Sequence, residues 1–263
     1  MPIMSITIAI SNQKGGVGKT TSSMNIGARL AMEGYKTLLI DLDPQKNLSK
    51  AWGVAANTRN IYSLILGDVD HQGAIHTLKS SVAEGQPLDI IPGTSNFSRY
   101  EKLRAGEVNA QFDLKKVLQP IIPSYDFIIL DCPPALGLIT VNAFACAHYV
   151  LIPVEAQLFA MEGLDSIRET IQKIREFINP HLDLLGVFLV RHNKRTILNK
   201  EVAQLMEKEY AGQLLKTTIR ENIALKESPH EGQDIFAYAP KSNGAKDYEL
   251  LTQEIINRLW GKK

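Results

Sequence analysis

Glycine, lysine and threonine residues between positions 12 and 21 form the stretch of this sequence best suited to chemistry. The stretch reads N-Q-K-G-G-V-G-K-T-T. Glycines let the backbone approach a ligand closely, so that several N–H groups converge on phosphate oxygens. A lysine after the glycines can reach the β- and γ-phosphates of a nucleotide, and the next hydroxyl can ligate Mg²⁺. The pattern therefore predicts a phosphate site made by Gly15, Gly16, Val17, Gly18, Lys19, Thr20 and Thr21.

A predicted strand and a predicted helix flank this glycine-rich stretch. Residues 3–11 contain the run I-T-I-A-I, which is rich in β-branched residues and short enough for a buried strand. Residues 19–33 contain no proline and many good helix formers, and Gly34 is placed to end the helix. The first turn of such a helix adds free N–H groups and the positive end of its dipole. This placement favours a phosphate site over a turn that binds nothing.

One position departs from the general pattern G-x-x-x-x-G-K-[ST], because Gln13 stands where the first glycine is expected. Lys14 lies beside the glycines instead. The resulting form K-G-G-x-G-K-T-T resembles the deviant P-loop of the ParA/MinD family of ATPases. The resemblance implies ATP and Mg²⁺ as cofactors and assigns Lys19 to catalysis. It also implies that Lys14 binds nucleotide and acts in catalysis by reaching across a dimer interface to the partner's site.

Two carboxylates follow the second predicted strand, an apolar run at residues 37–40. Strand, helix and strand in succession form a βαβ unit with parallel strands, so Asp41 and Asp43 emerge at the sheet edge that carries the phosphate loop. Carboxylates there can hold Mg²⁺ waters or position an attacking water. The run D-L-D-P-Q resembles the D-x-D-P-Q of ParA proteins, which implies that Asp43 orients the hydrolytic water and Asp41 supports the magnesium shell. A simple turn is the alternative interpretation, because Asp-Pro is good turn chemistry.

A third buried strand, Y-D-F-I-I-L-D at residues 125–131, ends in Asp131. A carboxylate at the tip of an apolar strand beside a P-loop can order magnesium through Thr20 and water. The next segment, C-P-P-A-L-G-L, resembles the switch segment of ParA, which implies a backbone N–H or a pivot at Gly137 near the γ-phosphate. Cys132 is interpreted as a small buried residue and Cys146 as helix core, so neither favours an iron–sulfur reductase built on the same loop.

Strands and helices alternate along the rest of the chain. Helices are predicted at 61–66, 73–78, 97–107, 113–118, 158–178, 199–210 and 244–260, and strands at 88–93, 149–154, 184–190 and 214–219. The alternation predicts an α/β fold: one doubly wound, mostly parallel sheet with helices on both faces, as in P-loop NTPases. We expect a single ATPase domain over residues 1–263 and no N-terminal helix-turn-helix domain.

Loops at the carboxyl ends of the later strands are candidates to flank the adenine, at residues 191–196 and 219–223. In related proteins an asparagine after this strand contacts the base, so Asn193 is predicted to bind adenine. Capping of local backbone is the equally weighted alternative for this residue.

Basic residues are frequent in the C-terminal third of the chain. ParA proteins bind DNA without sequence preference when ATP closes the dimer, and the resemblance implies salt-sensitive binding here through Lys194, Arg195, Lys200 and Arg220. The sequence departs from the P-R-N-V-R of the chromosomal subgroup, because residues 219–224 read I-R-E-N-I-A. The alternative interpretation of each basic residue is a solvated surface.

Composition limits the remaining possibilities. The chain has 263 residues, of which 44% are apolar, a formal net charge of +1 and two cysteines. No apolar run reaches the roughly 18 residues that a membrane span requires, and the cysteines give no disulfide framework. We expect a cytoplasmic protein associated with the nucleoid, whose DNA binding would come from a local patch because the net charge is small.

The resemblance implies a homodimer when ATP is bound, and a ParB-like or other adaptor that stimulates otherwise weak hydrolysis. The function predicted is segregation of DNA or positioning of a cargo. One alternative is a MinD-like membrane-surface ATPase, which needs an amphipathic tail, whereas the apolar stripe of the last predicted helix is more typical of a helix that covers a sheet. A small-molecule kinase or ligase on the same scaffold is the other alternative.

Overall fold

A seven-stranded β-sheet forms the centre of the protein. The computed structural model describes residues 5–55, 59–78, 86–157, 160–192 and 197–261. The strands are Ile6–Ile10 (β1), Thr37–Asp41 (β2), His76–Thr77 (β3), Leu88–Ile91 (β4), Phe127–Asp131 (β5), Tyr149–Glu155 (β6) and Asp183–Val190 (β7). They are ordered β3-β4-β2-β5-β1-β6-β7, and every neighbouring pair is parallel except β3 with β4.

Helices connect the strands along the chain. They are Lys19–Met32 (α1), Asn47–Ala51 (α2), Ile61–Leu66 (α3), His71–Ala74 (α4), Phe97–Arg104 (α5), Asp113–Leu118 (α6), Leu138–Cys146 (α7), Ala160–Phe177 (α8), Ile197–Glu209 (α9), Ala224–Glu227 (α10), Ile235–Tyr238 (α11) and Asn243–Trp260 (α12). Short 3₁₀ turns lie at Ala110–Phe112 and Ile122–Ser124.

An apolar layer lies on each face of the sheet. One layer contains side chains from α3 to α9, and the other contains side chains from α1, α2 and α10 to α12. Side chains of a strand alternate between its two faces, so Ala9 of β1 joins the first layer while Ile8 and Ile10 join the second. This arrangement confirms the predicted doubly wound α/β fold.

The carboxyl ends of three central strands lie side by side. In the parallel register, Ile10 of β1 and Asp41 of β2 both pair with Asp131 of β5. From β1 the chain crosses to β2 on one side, while β6 lies on the other side of β1. Ligands of open α/β sheets bind in the crevice that forms where connections diverge in this way. The three strand ends therefore place the predicted phosphate loop and both predicted carboxylate positions at one crevice.

The helix predicted at 73–78 is wrong. Helix α4 ends at Ala74, and His76 and Thr77 pair antiparallel with β4. The Thr77 hydroxyl donates to the Asp89 carboxylate at 2.7 Å, across the two strands. Backbone groups of residues 76 and 77 form hydrogen bonds with β4 in this arrangement. If α4 continued by one more turn, its last groups would have only water as a partner.

The strand predicted at 214–219 is also wrong. This segment runs beside β7 but forms only isolated bridges, from Leu214 to Val187 and from Arg220 to His192, while the N–H groups of Leu215 and Ile219 donate to Val187 and Leu189. The backbone N–H groups of Lys216 and Thr217 donate instead to the carboxylate of Glu254 on α12, at 2.8 and 2.9 Å. Glu254 thus takes the N–H of Thr217, which lies between the two N–H groups that do donate to β7.

The apolar stripe of α12 packs inside the protein. Tyr248, Leu251 and Ile255 are buried in the layer that also contains α1, and the Tyr248 hydroxyl lies 3.0 Å from that of Ser22. At the end of the helix, the indole of Trp260 stacks on the ring of Tyr35, with centroids 5.5 Å apart. Helix α12 therefore covers the sheet. Among the described residues, no helix combines the length and apolarity needed to cross a membrane.

Gly27 fixes how closely α1 approaches the sheet, and its substitution tests this packing. A Cβ atom at this position would overlap the Cδ2 methyl group of Leu39, which is fully buried in β2. We expect Gly27→Ala to lower the free energy of unfolding by about 1–2 kcal/mol, because overpacking outweighs the better helix propensity of alanine. Urea unfolding followed by circular dichroism measures the change.

Gly163 of α8 provides the matched control, because a Cβ atom there would meet no atom of the described residues within 4 Å. Gly163→Ala should raise the free energy of unfolding by about 0.5–1 kcal/mol through helix propensity alone. If both substitutions stabilise the protein, the close approach of α1 to β2 is wrong.

Candidate nucleotide-binding site

The glycine-rich loop connects β1 to α1 and adopts a conformation that requires glycine. Gly16 and Gly18 have φ angles of 75° and 77°, in the left-handed region that other residues rarely occupy. Gly18 is the N-cap of α1 and offers no side chain to cap the first helical turn. The N–H groups of that turn can therefore point to an anion in the cleft beside it.

An open cleft of about 850 Å³ lies at the carboxyl ends of the central strands. It is bordered by the glycine-rich loop, by the turn after β2 and by the segment after β5. The residues that line it include Lys19, Thr20, Asp43, Ser98, Glu101 and Arg191, together with Pro133–Ala135. The volume and the mixture of lysine, hydroxyl and carboxylate groups suit a nucleotide.

Lys19 is buried at the base of the glycine-rich loop. Its Nζ donates to the carbonyl oxygen of Lys14 at 3.0 Å, so the loop folds over its own lysine. Burial lowers the pKa of Lys19, while the nearby charges of Asp131 and Asp43 act in the opposite direction. A buried ammonium group with one backbone partner can still donate to an oxyanion, as phosphate binding requires.

Asp131 lies at the end of β5 and is fully buried. Its Oδ2 accepts the hydroxyl of Thr20 at 2.8 Å, and its Oδ1 accepts the hydroxyl of Ser23 at 3.0 Å. Burial raises the pKa of Asp131 to about 8, and the charge of Asp41 adds to the shift, although both hydroxyls oppose it. The structure thus brings together the predicted pair of Thr20 and Asp131.

Asp41, at the end of β2, lies beside Asp131 but forms its hydrogen bonds with the turn and the helix that follow β2. Its Oδ2 accepts both the N–H and the hydroxyl of Ser49, at 2.8 and 2.6 Å, and its Oδ1 accepts the N–H of Asp43 at 3.2 Å. Burial raises its pKa to about 6, against the effect of these hydrogen bonds. The Ser49 hydroxyl in turn accepts the N–H of Gly93 at 2.9 Å. These contacts make Asp41 an anchor for the turn, and its predicted support of a magnesium shell stays a prediction.

Asp43 lines the cleft and is 8% exposed. Its Oδ1 accepts the N–H of Gln45 at 2.8 Å, which fixes the side chain relative to the turn that follows. The structure therefore holds the Asp43 carboxylate in the cleft, as the assignment of a water-positioning group requires. That role itself stays a prediction.

Lys14 lies at the rim of the site, with its side chain exposed. Its Nζ donates to Oε1 of Gln157, in the connection after β6, and its backbone N–H donates to Oδ1 of Asn12 at 2.9 Å. The neighbouring Gln13 donates to the Ser166 hydroxyl of α8 at 2.7 Å. The two lysines of the loop therefore differ in position: Lys19 is buried in the cleft, and Lys14 faces outward.

The side chains at the base of the cleft fit Mg²⁺ and a phosphate chain. Mg²⁺ prefers oxygen ligands, keeps several waters and is bound by one or two protein groups together with substrate phosphates. Thr20 would ligate it directly and Asp131 through water, and its charge would offset the burial that raises the pKa of Asp131. Within the described ranges, no group of three or more His, Cys, Asp or Glu side chains is arranged to hold a metal by itself.

Several predicted adenine and DNA contacts fall outside the described residues. These are Asn193, Lys194 and Arg195, and of Lys200 only the backbone, in α9, is described. A small cavity of about 50 Å³ connects the glycine-rich loop to the segment after β7 and is bordered by Gly18, Thr21, Arg191, Arg220 and Asn222. It lies where the two predicted adenine loops were expected to meet the nucleotide.

Arg220 forms an ion pair within the chain. Its Nη2 donates to Oδ1 of Asp247 at 2.6 Å, and its Nε donates to Oδ2 at 2.9 Å. Asp247 is buried on α12, so it depends on this guanidinium for charge compensation. The Arg220 side chain is 45% exposed, so it also reaches the surface. Its contact with DNA stays a prediction.

Comparisons with known proteins agree with this geometry. A family model described as an AAA domain matches residues 5–184. The sporulation initiation inhibitor protein Soj of Bacillus subtilis is 38% identical over 94% of this chain and 97% of its own length. The chromosome-partitioning ATPase Soj of Treponema pallidum is 36% identical over 97% of this chain and 98% of its own. The chain belongs to the ParA/MinD family of P-loop ATPases.

This ParA/MinD-type chain is an ATP hydrolase with ATP and Mg²⁺ as cofactors, which confirms the predictions of activity and cofactors. Among solved structures, cobyrinic acid a,c-diamide synthase from Mycobacterium smegmatis with bound ADP and magnesium has the same fold. Its TM-score is 0.84 at 27% identity, over 99% of this chain and 97% of that one. Cys132 and Cys146 are both buried, in agreement with their interpretation as packing residues.

Three side chains at the site escaped the sequence analysis. Ser23 is the second hydroxyl on Asp131, and its spacing of three residues from Thr20 on one helix face is a signal that could have found it. Ser49 and Glu101 gave no such signal. Their roles depend on contacts with β2 and α7, which are 8 and 38 residues away along the chain.

Asp131→Asn tests the charge at the base of the cleft. Between its usual value of 3.8 and about 8, folded Asp131 holds a proton that the unfolded chain has lost, so the stability of the nucleotide-free protein falls as pH rises. We expect the thermal midpoint of wild type to drop between pH 6 and 8.5, and Asp131→Asn to drop less. Adding Mg²⁺ with ATP should raise the midpoint of wild type much more than that of the variant.

Asp126, directly before the first residue of β5, supplies the control. Asp126→Asn should retain both the pH dependence and the response to Mg²⁺ with ATP. If Mg²⁺ with ATP raises the thermal midpoint of Asp131→Asn as much as that of wild type, the Asp131 carboxylate does not support the metal.

Proposed function

We propose that this ATPase forms an ATP-dependent sandwich dimer, binds DNA without sequence preference, and uses partner-stimulated hydrolysis to segregate DNA or position a cargo. The observation that carries the proposal is the outward position of Lys14. A lysine of the phosphate loop that lies at the rim, away from its own buried site, is available to a second subunit.

Each subunit would contribute most of one site and one lysine of the other. Lys19 and the N–H groups at the start of α1 bind the phosphates, and Thr20 with Asp131 holds the metal side of the site. Lys14 of the partner would leave Gln157 and add a positive charge near the γ-phosphate, where charge develops during transfer. The dimer is therefore stable only while both sites hold ATP.

Asp43 would orient the water that attacks the γ-phosphate. Its carboxylate lies in the cleft and is held by the N–H of Gln45, so its position does not depend on the nucleotide. Thr20 and Asp131 would hold Mg²⁺, whose charge would offset that of the phosphates. Hydrolysis would remove the contact to Lys14 and release the dimer, so that slow turnover acts as a timer.

DNA binding would follow dimer formation, because two subunits double the number of basic side chains on one surface. The names of the relatives support a role in partitioning, and the proposed basic residues are Lys194, Arg195, Lys200 and Arg220. The proposed partners are DNA and a ParB-like or other adaptor that stimulates hydrolysis. The proposed location is the nucleoid, and binding should weaken with salt because it depends on phosphate contacts.

A second candidate function is small-molecule amide synthesis, favoured by the structural likeness to the diamide synthase. The two functions differ in their acceptor, because the partition ATPase transfers phosphate to water. ATP turnover that requires no added small molecule favours the first. Docking of the last helix on a membrane is disfavoured, because its apolar stripe is buried against α1.

Asp43→Ala tests the proposed cycle. Loss of the water-positioning carboxylate should reduce ATP turnover by at least about 100-fold, in the range found when a catalytic group is removed, while ATP binding remains. The variant should accumulate as an ATP-bound dimer in size-exclusion chromatography. It should retain nonspecific DNA longer than wild type with ATP, lose it as salt increases, and release it with ADP.

Asp89, at the outer strand β4, offers a control carboxylate outside the cleft. Asp89→Ala should hydrolyse ATP and release DNA as wild type does. Normal hydrolysis by Asp43→Ala would refute the assigned role. ATP-dependent sedimentation with liposomes, without retention of DNA, would refute the DNA-binding proposal.

A further inference from the structure

Helix α5 presents two polar residues to the nucleotide cleft. Phe97 and Tyr100 are buried on one side of this helix, whereas Ser98 and Glu101, three residues apart, line the cleft. Residues three apart lie on the same face of a helix, so α5 has a cleft-facing stripe beside its core-facing stripe. Neither polar residue belongs to a phosphate-binding motif.

The Glu101 carboxylate caps the next helix along the cleft. Its Oε1 accepts the N–H of Ile139, at the start of α7, at 3.2 Å. Gly137 is the N-cap of α7 and makes no side-chain cap. A carboxylate from a neighbouring element therefore takes the place of the missing cap, where an acidic group also suits the positive end of the helix dipole.

Gly137 leaves room for this contact. A Cβ atom at residue 137 would overlap Oε1 of Glu101. The backbone of Gly137 is extended, with φ of −88°, so its conformation does not require glycine. A side chain at this position would therefore displace the end of the Glu101 side chain and would not strain the backbone.

Helix α5 is itself held firmly in place. The hydroxyl of Tyr100 and Nε of Arg104 both donate to Oδ2 of Asp113, at 2.9 Å each. Asn142 of α7 connects the same group of helices, because its Oδ1 accepts the N–H of Leu114 at 3.0 Å. Glu101 therefore stands on a helix whose position is fixed on the side away from the cleft.

We propose that Glu101 is a positioning residue for ATP hydrolysis: it holds the segment after β5 against the cleft by capping α7. That segment includes Pro133, Pro134 and Ala135, which line the cleft opposite the glycine-rich loop. Its position decides which backbone groups face the γ-phosphate. Ground-state binding of ATP depends mainly on the glycine-rich loop, so Glu101 acts on the rate of turnover and little on affinity. The proposal rests on ATP hydrolysis and on neither dimerisation nor DNA binding.

Glu101→Ala and Glu101→Gln separate this role from general stability. Alanine removes the cap, and glutamine keeps an oxygen that accepts the N–H of Ile139. We expect kcat of Glu101→Ala to fall about tenfold, since misplacement of a cleft segment costs turnover, with KM for ATP within about threefold of wild type. Glu101→Gln should recover kcat to within about twofold of wild type. Glu107→Ala, an exposed acidic control that pairs with Arg104 of α5, should leave kcat unchanged.

Gly137→Ala adds an independent test through coupling. In the wild-type background it should displace Glu101 and slow turnover about as much as Glu101→Ala does. In the Glu101→Ala background it should add little, because the overlapping carboxylate is absent, so the two effects should be strongly non-additive. Amide hydrogen exchange at Ile139 should quicken in Glu101→Ala without ATP, whereas exchange in α1 should not change.

Four results would overturn the proposal. The first is an unchanged kcat in Glu101→Ala, and the second is Glu101→Gln being as slow as Glu101→Ala. The third is additivity of Gly137→Ala and Glu101→Ala. A loss of kcat and ATP affinity by equal factors, with a lower thermal midpoint, would indicate a purely structural role and also contradicts it. None of these outcomes bears on whether ATP closes a dimer.

Discussion

The site depends on two hydrogen bonds that the Asp131 carboxylate accepts from the hydroxyls of Thr20 and Ser23. They join the end of β5 to the start of α1, and so fix the glycine-rich loop relative to the sheet. The carboxylate is fully buried and lies beside Asp41, so its charge is costly without a cation. Burial and the charge of Asp41 disfavour the ionised form of Asp131, and the positive charge of Mg²⁺ would favour it. The site is therefore well suited to Mg²⁺ with a nucleotide.

Three contacts connect this base to elements that surround the cleft. Asp41 anchors the turn after β2 through Ser49, and Glu101 caps the helix that follows β5. On the third side, Gln13 contacts α8 through Ser166. Each contact is a side-chain hydrogen bond between two elements, of which at least one borders the cleft. The three contacts therefore fix the positions of β2, α7 and α8 relative to the elements around the cleft.

Local patterns in the sequence were enough to predict much of the fold and of the phosphate site. Apolar runs ending in Asp41 and Asp131 predicted strand ends at one edge, because parallel strands of a βαβ unit must align there. The segment at 214–219 has the composition of a strand, but Glu254 takes two of its N–H groups. Such competition depends on a residue about 37 positions away, which no local pattern can reveal.

Contacts of single side chains were equally inaccessible from the sequence. Asp41 has the residue type and spacing of a metal-supporting carboxylate. Only the fold shows that its Oδ2 accepts hydrogen bonds from both the N–H and the hydroxyl of Ser49. Arg220 has the charge expected of a DNA contact, and only the fold shows its pairing with buried Asp247. In both cases burial decides the partner, because a buried charge takes the nearest compensating group.

The most direct test of a site shared between two subunits is the ATP turnover of mixed variants. Lys14→Ala lacks only the lysine that it would give to its partner, and Asp43→Ala lacks only its own water-positioning group. Both are mixed in equal amounts before ATP is added. In the control mixture Lys14→Ala is replaced by Lys36→Ala, at a lysine directly before β2 and so at the end of that strand away from the cleft.

The account predicts that the mixture hydrolyses ATP faster than the two variants do separately, because one of its two sites regains both groups. A mixture no faster than the average of the separate variants would place Lys14 in its own subunit's site and contradict the account.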